Sequence, residues 1–176
     1  MTSPGAFLPA TPEEHREMLG FFPTGVAVIT TLDRRGRPQG MTCSSLTSVS
    51  VRPSMLLVCL RVGTATADAV RGRGAFAVNL LHERGRRAAE VFSAPLPDRF
   101  ERVEWRPSWS GLPWLSRDAL AIAECRVTRM LVAGDHEVVL AELGRLSLVR
   151  DRPLLYGLRR FSVWPEGALA DRQAAE

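Results

Sequence analysis

Hydrophobic and polar positions divide the chain into short segments of mostly strand-like period, punctuated by turns bearing Gly and Pro. The opening is the exception. Thr11-Pro12-Glu13-Glu14 combines a Thr N-cap, a Pro at the first helical position and a Glu that completes a capping box, so a helix is expected from here to about Leu19, ending at Gly20. Gly25 to Leu32 (GVAVITTL) is a β-branched run. The polar turn Asp33-Arg34-Arg35-Gly36-Arg37 follows and strand character resumes at Gln39, which predicts a β-hairpin. Met55 to Leu60 (MLLVCL) and Phe76 to Leu81 (FAVNLL) are unbroken apolar runs of strand length, predicting central strands buried on both faces. Between them, Thr66 to Arg73 predicts a short helix ended by Gly74.

His82 to Phe92 carries Ala88, Ala89 and Phe92 at helical spacing, while Ser93 to Pro113, rich in Pro, Trp and Arg, predicts an irregular excursion. Two long strands are expected at Ala119–Leu131 and His136–Val149, joined by Ala133-Gly134-Asp135. In the first, Ala121, Ala123, Cys125 and Val127 alternate with Glu124, Arg126 and Thr128, a half-exposed pattern. The tail beyond Trp164 is polar and expected to fray. Without repeats or linkers, the pattern describes one domain over residues 1–176, with its core at about 12–163. Six or seven strands and few helices make it mainly β: a small β-barrel with short peripheral helices.

Composition narrows the chemistry. With 176 residues, 45% hydrophobic and 24% charged, the chain has a core of ordinary size. No apolar run reaches the roughly 20 residues of a membrane span, and Met1–Ala10 has neither the basic start nor the apolar stretch of a secretory signal, so a cytoplasmic protein without membrane attachment is expected. The net charge of +4 raises the possibility of a polyanionic partner. All 23 basic residues are Arg, however, scattered and without an aromatic–basic motif, which fits codon bias better than nucleic-acid binding. The lack of Lys excludes Schiff-base chemistry and a Walker-type phosphate lysine. Cys43, Cys59 and Cys125 are widely spaced in apolar stretches and read as reduced, buried small hydrophobes. His15, His82 and His136 show no ligand spacing, so no metal is expected.

Seven of the eleven residues in Gly40–Ser50 (GMTCSSLTSVS) are Ser, Thr or Gly. Composition alone fits an exposed loop. At a strand end, though, such a segment supplies N–H and O–H donors in close succession, suited to a phosphate or the polar edge of a heterocycle. Thr64 and Thr66 form a second hydroxyl pair where the next helix opens, a place that favours anions, although Thr66 serves equally well as an N-cap alone. Arg61, just before, offers a cationic donor.

These stretches resemble the flavin reductase family, whose split β-barrel flavin-binding fold feeds reduced flavin to two-component monooxygenases. The resemblance spans roughly Pro12 to Val163 and rests on landmarks in the family's order: Phe22-Pro23-Thr24-Gly25-Val26; Gly40–Ser50 with Val51-Arg52-Pro53; Thr64-Ala65-Thr66; Phe76–Leu81; Gly134-Asp135-His136; and Pro153-Leu154-Leu155-Tyr156. It implies that Thr42, Cys43, Ser44, Ser45 and Ser48 meet the isoalloxazine edge and ribityl chain, partly through backbone groups, and that Thr64 and Thr66 meet the flavin phosphate. Val62-Gly63 departs from the polar residues common in relatives, which implies fewer phosphate contacts there or contacts through the Gly63 N–H.

The resemblance further places His136 beside the flavin ring and nicotinamide, where it would position NAD(P)H; as residues, Gly134-Asp135 is simply a good turn and His136 the first residue of a strand. Asn79, alone of its type and within an apolar strand, either holds a neighbouring loop or touches flavin. Tyr156 either packs in the core or reaches the cofactor region with the segment carrying Arg159, Arg160 and Phe161. Phe92-Ser93 and Asp98-Arg99-Phe100 resemble the family's mobile stretch over the nicotinamide side, whereas Trp105, Trp109 and Trp114 read as packing residues. The implied ligands are FAD or FMN, with NADH or NADPH as hydride donor. The implied partners are a flavin-dependent monooxygenase and a second copy of the chain in a homodimer. A flavin-binding oxidase or carrier of the same barrel is the alternative, and a basic, non-enzymatic binding module a weaker one.

Overall fold

A computed structural model describes residues 8–165; the start of the chain and nearly all of the polar tail beyond Trp164 lie outside the described residues. Helix α1 (Pro12–Gly20) begins as the capping box dictates: Thr11 Oγ1 accepts the Glu14 N–H at 3.2 Å, and Glu14 Oε2 accepts the Thr11 N–H at 2.8 Å. The strand expected from Gly25 is divided. β1 (Thr24–Gly25) and β2 (Ala27–Leu32) part at Val26, whose N–H donates to Leu154 O while its carbonyl accepts from Leu81 N, so the backbone changes sheets there.

β3 (Pro38–Cys43) completes the hairpin with β2, and β4 (Thr47–Val51) and β5 (Ser54–Arg61) form the next pair. Most of the hydroxyl-rich stretch is therefore strand, with only Ser44–Leu46 as connection. After β5 come α2 (Ala65–Arg73), β6 (Ala75–Leu81), a 3₁₀ turn at Glu83–Gly85 and α3 (Arg86–Ser93). His82 thus precedes the helical segment. The excursion after α3 is partly ordered: a 3₁₀ turn at Arg99–Glu101, then a small ribbon of β7 (Arg106–Pro107) and β8 (Pro113–Trp114). The long hairpin β9 (Ala119–Ala133) and β10 (His136–Leu148) follows, then the hairpin β11 (Leu154–Gly157) and β12 (Arg160–Val163). Tyr156 and Phe161 are therefore within strands. The short strands beyond the six or seven expected are two to five residues long; β1 is set by distant β11, and the others by neighbouring strands.

The main sheet runs β3-β2-β6-β9-β10-β5-β4, and β1-β11-β12 form a second sheet. β3 and β4 are its opposite edges, yet only Ser44–Leu46 joins them. So short a link, four Cα–Cα steps from Cys43 to Thr47, spans roughly 14 Å at most, so the sheet must curl until its edges come near each other. The edges do not pair as a ladder, and the barrel stays split. Ser45 ties the seam: Oγ accepts the Cys59 N–H at 2.9 Å and donates to Cys59 O at 3.2 Å, just past the last β4–β5 pair, Thr47 with Leu57.

Ile29, Val58, Leu60, Phe76, Val78 and Val139 fill the barrel, with Ala67 and Val70 of α2 packed into the same core. Val28 on the outer face of β2, with Val26 just before it, is buried against Ala88, Ala89 and Phe92 of α3 and against Leu115 and Leu154. β2 and β6 are accordingly buried on both faces. β5, expected to match them, alternates instead: Met55, Leu57 and Cys59 are half-buried because β5 lies next to an edge strand, away from α3 and the 112–115 segment. Cys43 and Cys125 are buried free thiols, and burial pushes Cys125 up to about 12.

Candidate functional site

Two turns meet at one rim of the barrel. The first follows β5: Arg61, Val62, Gly63 at φ 74°, then Thr64, the N-cap of α2. Gly63 is a position where a left-handed backbone makes glycine the favoured residue. The second is Gly134-Asp135 between β9 and β10. The Val62 N–H donates to Asp135 O at 3.0 Å, and His136 stands opposite Arg61 across the β5–β10 pair. Arg61, Thr64 and His136 are thereby gathered.

The cap of α2 is Thr64, not Thr66. Thr64 Oγ1 accepts the Ala67 N–H at 3.3 Å and donates to Arg61 O at 2.9 Å. Thr66, one residue inside the helix, is 3% exposed, so its side chain packs inward. The N–H groups of Ala65 and Thr66 lack the intrahelical partners that later residues have, leaving two donors at the positive end of the helix. This suits a phosphate, and it is backbone rather than hydroxyl that offers the hydrogen bonds.

His136 Nδ1 lies 2.8 Å from Asp135 Oδ1. With a carboxylate as acceptor, Nδ1 carries the proton and Nε2 is left facing outward from a half-exposed ring. The hydrogen bond from His136 holds the Asp135 carboxyl below the usual carboxylate range, with the charge of Arg61 adding to the effect.

The other sequence candidates are spread more widely. Thr42 Oγ1 donates to Ala89 O of α3 at 2.7 Å, and Cys43 turns its side chain into the barrel core. Ser45 is engaged at the seam, while Ser44 and Ser48 are exposed. Asn79 is wholly buried: its amide donates to Val28 O at 3.2 Å and Thr30 Oγ1 at 3.0 Å, and its oxygen accepts the Leu115 N–H at 2.9 Å. Both donors are used, so the loop-holding alternative describes this residue. Tyr156 sits on the small sheet opposite Thr24, with its ring edge-on to Phe161 at 5.3 Å. The Phe92–Phe100 stretch is anchored by Arg99, which donates to Gly40 O at 2.7 Å, and by edge-on contacts of Phe100 with Phe92 and Trp105. Trp109 stacks on Trp114, and Arg106 lies over the Trp114 ring at 3.8 Å.

Thr24 Oγ1 is buried without a hydrogen-bond partner. Such an orphan costs about 1–3 kcal/mol, which a ligand acceptor would relieve. Thr24 lies in β1, three residues before Ala27 of β2, the partner of Cys43. Sequence offered it only as part of a landmark, since burial without a partner is invisible there. The orphan hydroxyl, the free N–H groups of α2 and the exposed Ser44 are donors of the kind that a phosphate-bearing heterocycle uses. Among the described residues, no three His, Cys, Asp or Glu side chains gather to hold a metal, and no helix is long and apolar enough to cross a membrane.

Comparisons with known proteins give this curled, split sheet a family. Residues 18–165 match the family model described as the flavin reductase like domain, and the chain belongs to that family. It is 55% identical over 166 residues to a flavin reductase (NADPH) of Lentzea aerocolonigenes, covering 93% of this chain and 96% of that one. It is 35% identical over 148 residues to the reductase subunit of a flavin-dependent monooxygenase of Mycobacterium tuberculosis, covering 82% and 78%. Among solved structures, the NADH:FAD oxidoreductase of Streptomyces globisporus in complex with NAD and FAD fragments superposes with a TM-score of 0.83 at 31% identity, covering 93% of this chain and 99% of that one.

Proposed function

We propose that this chain reduces free FAD or FMN with NADH or NADPH and releases the reduced flavin to a separate monooxygenase. The chain is an NAD(P)H-dependent flavin reductase; likeness to reductases over almost its whole length carries that conclusion and favours it over an oxidase or carrier of the same barrel. The partner rests on its likeness to a monooxygenase reductase subunit.

Bound flavin supplies the hydride acceptor. The protein orients two rings and shapes the field around them. The N–H groups of Ala65 and Thr66 hold the phosphate end, with Arg61 adding positive charge where negative charge accumulates. Thr24, Thr42, Ser44, Ser45 and Ser48 line the path of the ring and ribityl chain, those already engaged acting through backbone groups or remaining lone pairs. His136, its Nδ1 fixed by Asp135, presents Nε2 to the incoming nicotinamide and positions it without abstracting a proton. With no Lys clamp, flavin is held reversibly, as substrate.

The same reading makes the protein a homodimer. β4 is an unpaired edge, and Val49, Val51, Leu146, Leu148 and Val149 are exposed large apolar side chains on β4 and the end of β10. A second copy would cover them. Light scattering at micromolar concentration should return twice the chain mass, and a monomer with full activity would refute this part. The function itself is tested by anaerobic titration with NADH and NADPH in the presence of each flavin, followed by absorbance. Bleaching of added flavin is expected; persistent colour with both donors would refute the reading.

A further inference from the structure

A groove of about 670 Å³, within the range of small-ligand sites, starts at Ala65 and runs along one face of α2. Its floor is the stripe Ala65, Asp68, Ala69 and Gly72, spaced as neighbours on one helix face. Its opposite wall is the β2–β3 turn. That turn is self-sufficient: the Asp33 carboxylate accepts the N–H groups of Arg35 and Arg37, each at 2.9 Å, and pairs with the Arg37 guanidinium, while Gly36 N–H closes onto Asp33 O. On the helix side, Arg71 is held by Asp68 and Glu137.

Arg34 and Arg35 are left over. Among the described residues neither guanidinium has an acidic partner, although both line the groove, and Arg34 lies across Gly72 within 3.5 Å of where a Cβ would stand. Folding of the turn requires neither charge. The small floor residues leave room for a planar ring system, and two unpaired guanidinium forks at one wall suit phosphate oxygens. The groove also opens at the first residue of α2, beside the N–H groups assigned above to the flavin phosphate.

We infer that this groove is a subsite for a phosphorylated adenosine, the half of a dinucleotide that continues beyond the α2 N-terminus, held by Arg34 and Arg35. The inference rests on the flavin reductase reading and deepens it: the subsite decides which dinucleotide the enzyme prefers. The chemistry is shared by the AMP half of FAD and the 2′-phosphorylated adenosine of NADPH.

The test is binding to the full chain of the double variant Arg34→Ser/Arg35→Ser. FAD and FMN are titrated by fluorescence, and NADP⁺ and NAD⁺ by calorimetry with FMN saturating, so that no hydride moves. Both residues are exposed in a turn that Asp33 satisfies, so the melting temperature should stay within about 2 °C of the parent. A loss of about tenfold or more for FAD with FMN unchanged assigns the groove to the flavin dinucleotide. The same loss for NADP⁺ with NAD⁺ unchanged assigns it to the hydride donor. Gly72→Gln, which fills the groove without removing charge, should reproduce the same selective loss. Affinities all within about twofold of the parent, or all four weakened alike, would overturn the subsite. A parent chain that binds neither flavin would instead overturn the reductase reading, and the subsite with it.

Discussion

Two polar networks share the main sheet and differ in what they leave open. Around Asn79, deep beneath the 113–115 segment, every partner is internal: Thr30 Oγ1 donates to Pro113 O at 2.6 Å and accepts from Asn79, whose oxygen takes the Leu115 N–H. At the rim, Thr64 and Asp135 complete their own turns, yet the N–H groups of Ala65 and Thr66, the Arg61 guanidinium and His136 Nε2 remain available. The difference follows from burial. A buried polar group without a partner is costly, so the interior closes its network, whereas the rim can leave donors to water until a ligand arrives. Unused hydrogen-bonding capacity, more than polarity, separates a binding surface from a structural clamp.

The comparison breaks most visibly at Asn79. Asn79→Leu leaves the buried Leu115 N–H without a partner and takes away the donor to Thr30 Oγ1, and should cost about 3 kcal/mol, read by denaturant unfolding, while the folded protein keeps its flavin affinity. A large loss of flavin affinity at unchanged stability would place Asn79 in the site instead. Ser45→Ala removes both seam bonds to Cys59 and should cost about 1–2 kcal/mol, accompanied by weaker flavin binding as the Ser44–Leu46 link loosens. His136→Ala should leave stability within about 0.5 kcal/mol and raise the KM for NAD(P)H several-fold with kcat nearly unchanged at saturating flavin. A fall in kcat with KM unchanged would make His136 an actor in the chemical step.

The smallest effect is on pH. Burial raises Glu124, but hydrogen bonds from Ser108 Oγ, Ser110 N–H and Ser110 Oγ outweigh it and hold the carboxyl below its ordinary value. A carboxylate depressed by folding stabilises the protein above its unfolded pKa of about 4.3, and that contribution fades as pH falls through the lower, folded value. Melting curves from pH 6 down to 3 should show Glu124's share of the acid loss, under about 1 kcal/mol, as the difference between the parent and Ser110→Ala.

Sequence reading went furthest where local signals are strong. The capping box of α1, the Asp33–Arg37 turn, the two buried faces of β6 and the long β9–β10 hairpin follow from neighbours in the chain. It missed what pairing partners impose. Thr24–Gly25 becomes a strand because Leu155 and Tyr156 pair with it, and Thr47–Val51, with the composition of a loop, becomes one because β5 lies alongside. The α2 cap shifted from Thr66 to Thr64, since two threonines so close together both satisfy the local pattern and only packing of the helix decides between them. For the site, the rim turns were legible as turns, but the orphan hydroxyl of Thr24 and the engagement of Ser45 depend on burial and on the closing seam.

The exposed edge of β4 carries a consequence for timescales. Its backbone pairs with β5 on one side only, so the N–H groups on its free side are shielded from solvent by whatever covers that edge, not by the sheet. Where a second copy is that cover, their hydrogen–deuterium exchange is set by association, while that of β2 and β6, mid-sheet and buried on both faces, is set by unfolding. Dilution should speed exchange along Thr47–Val51 and leave β2 and β6 untouched if a second copy forms the cover. One strand thereby becomes a clock for assembly inside a molecule whose centre keeps a different time.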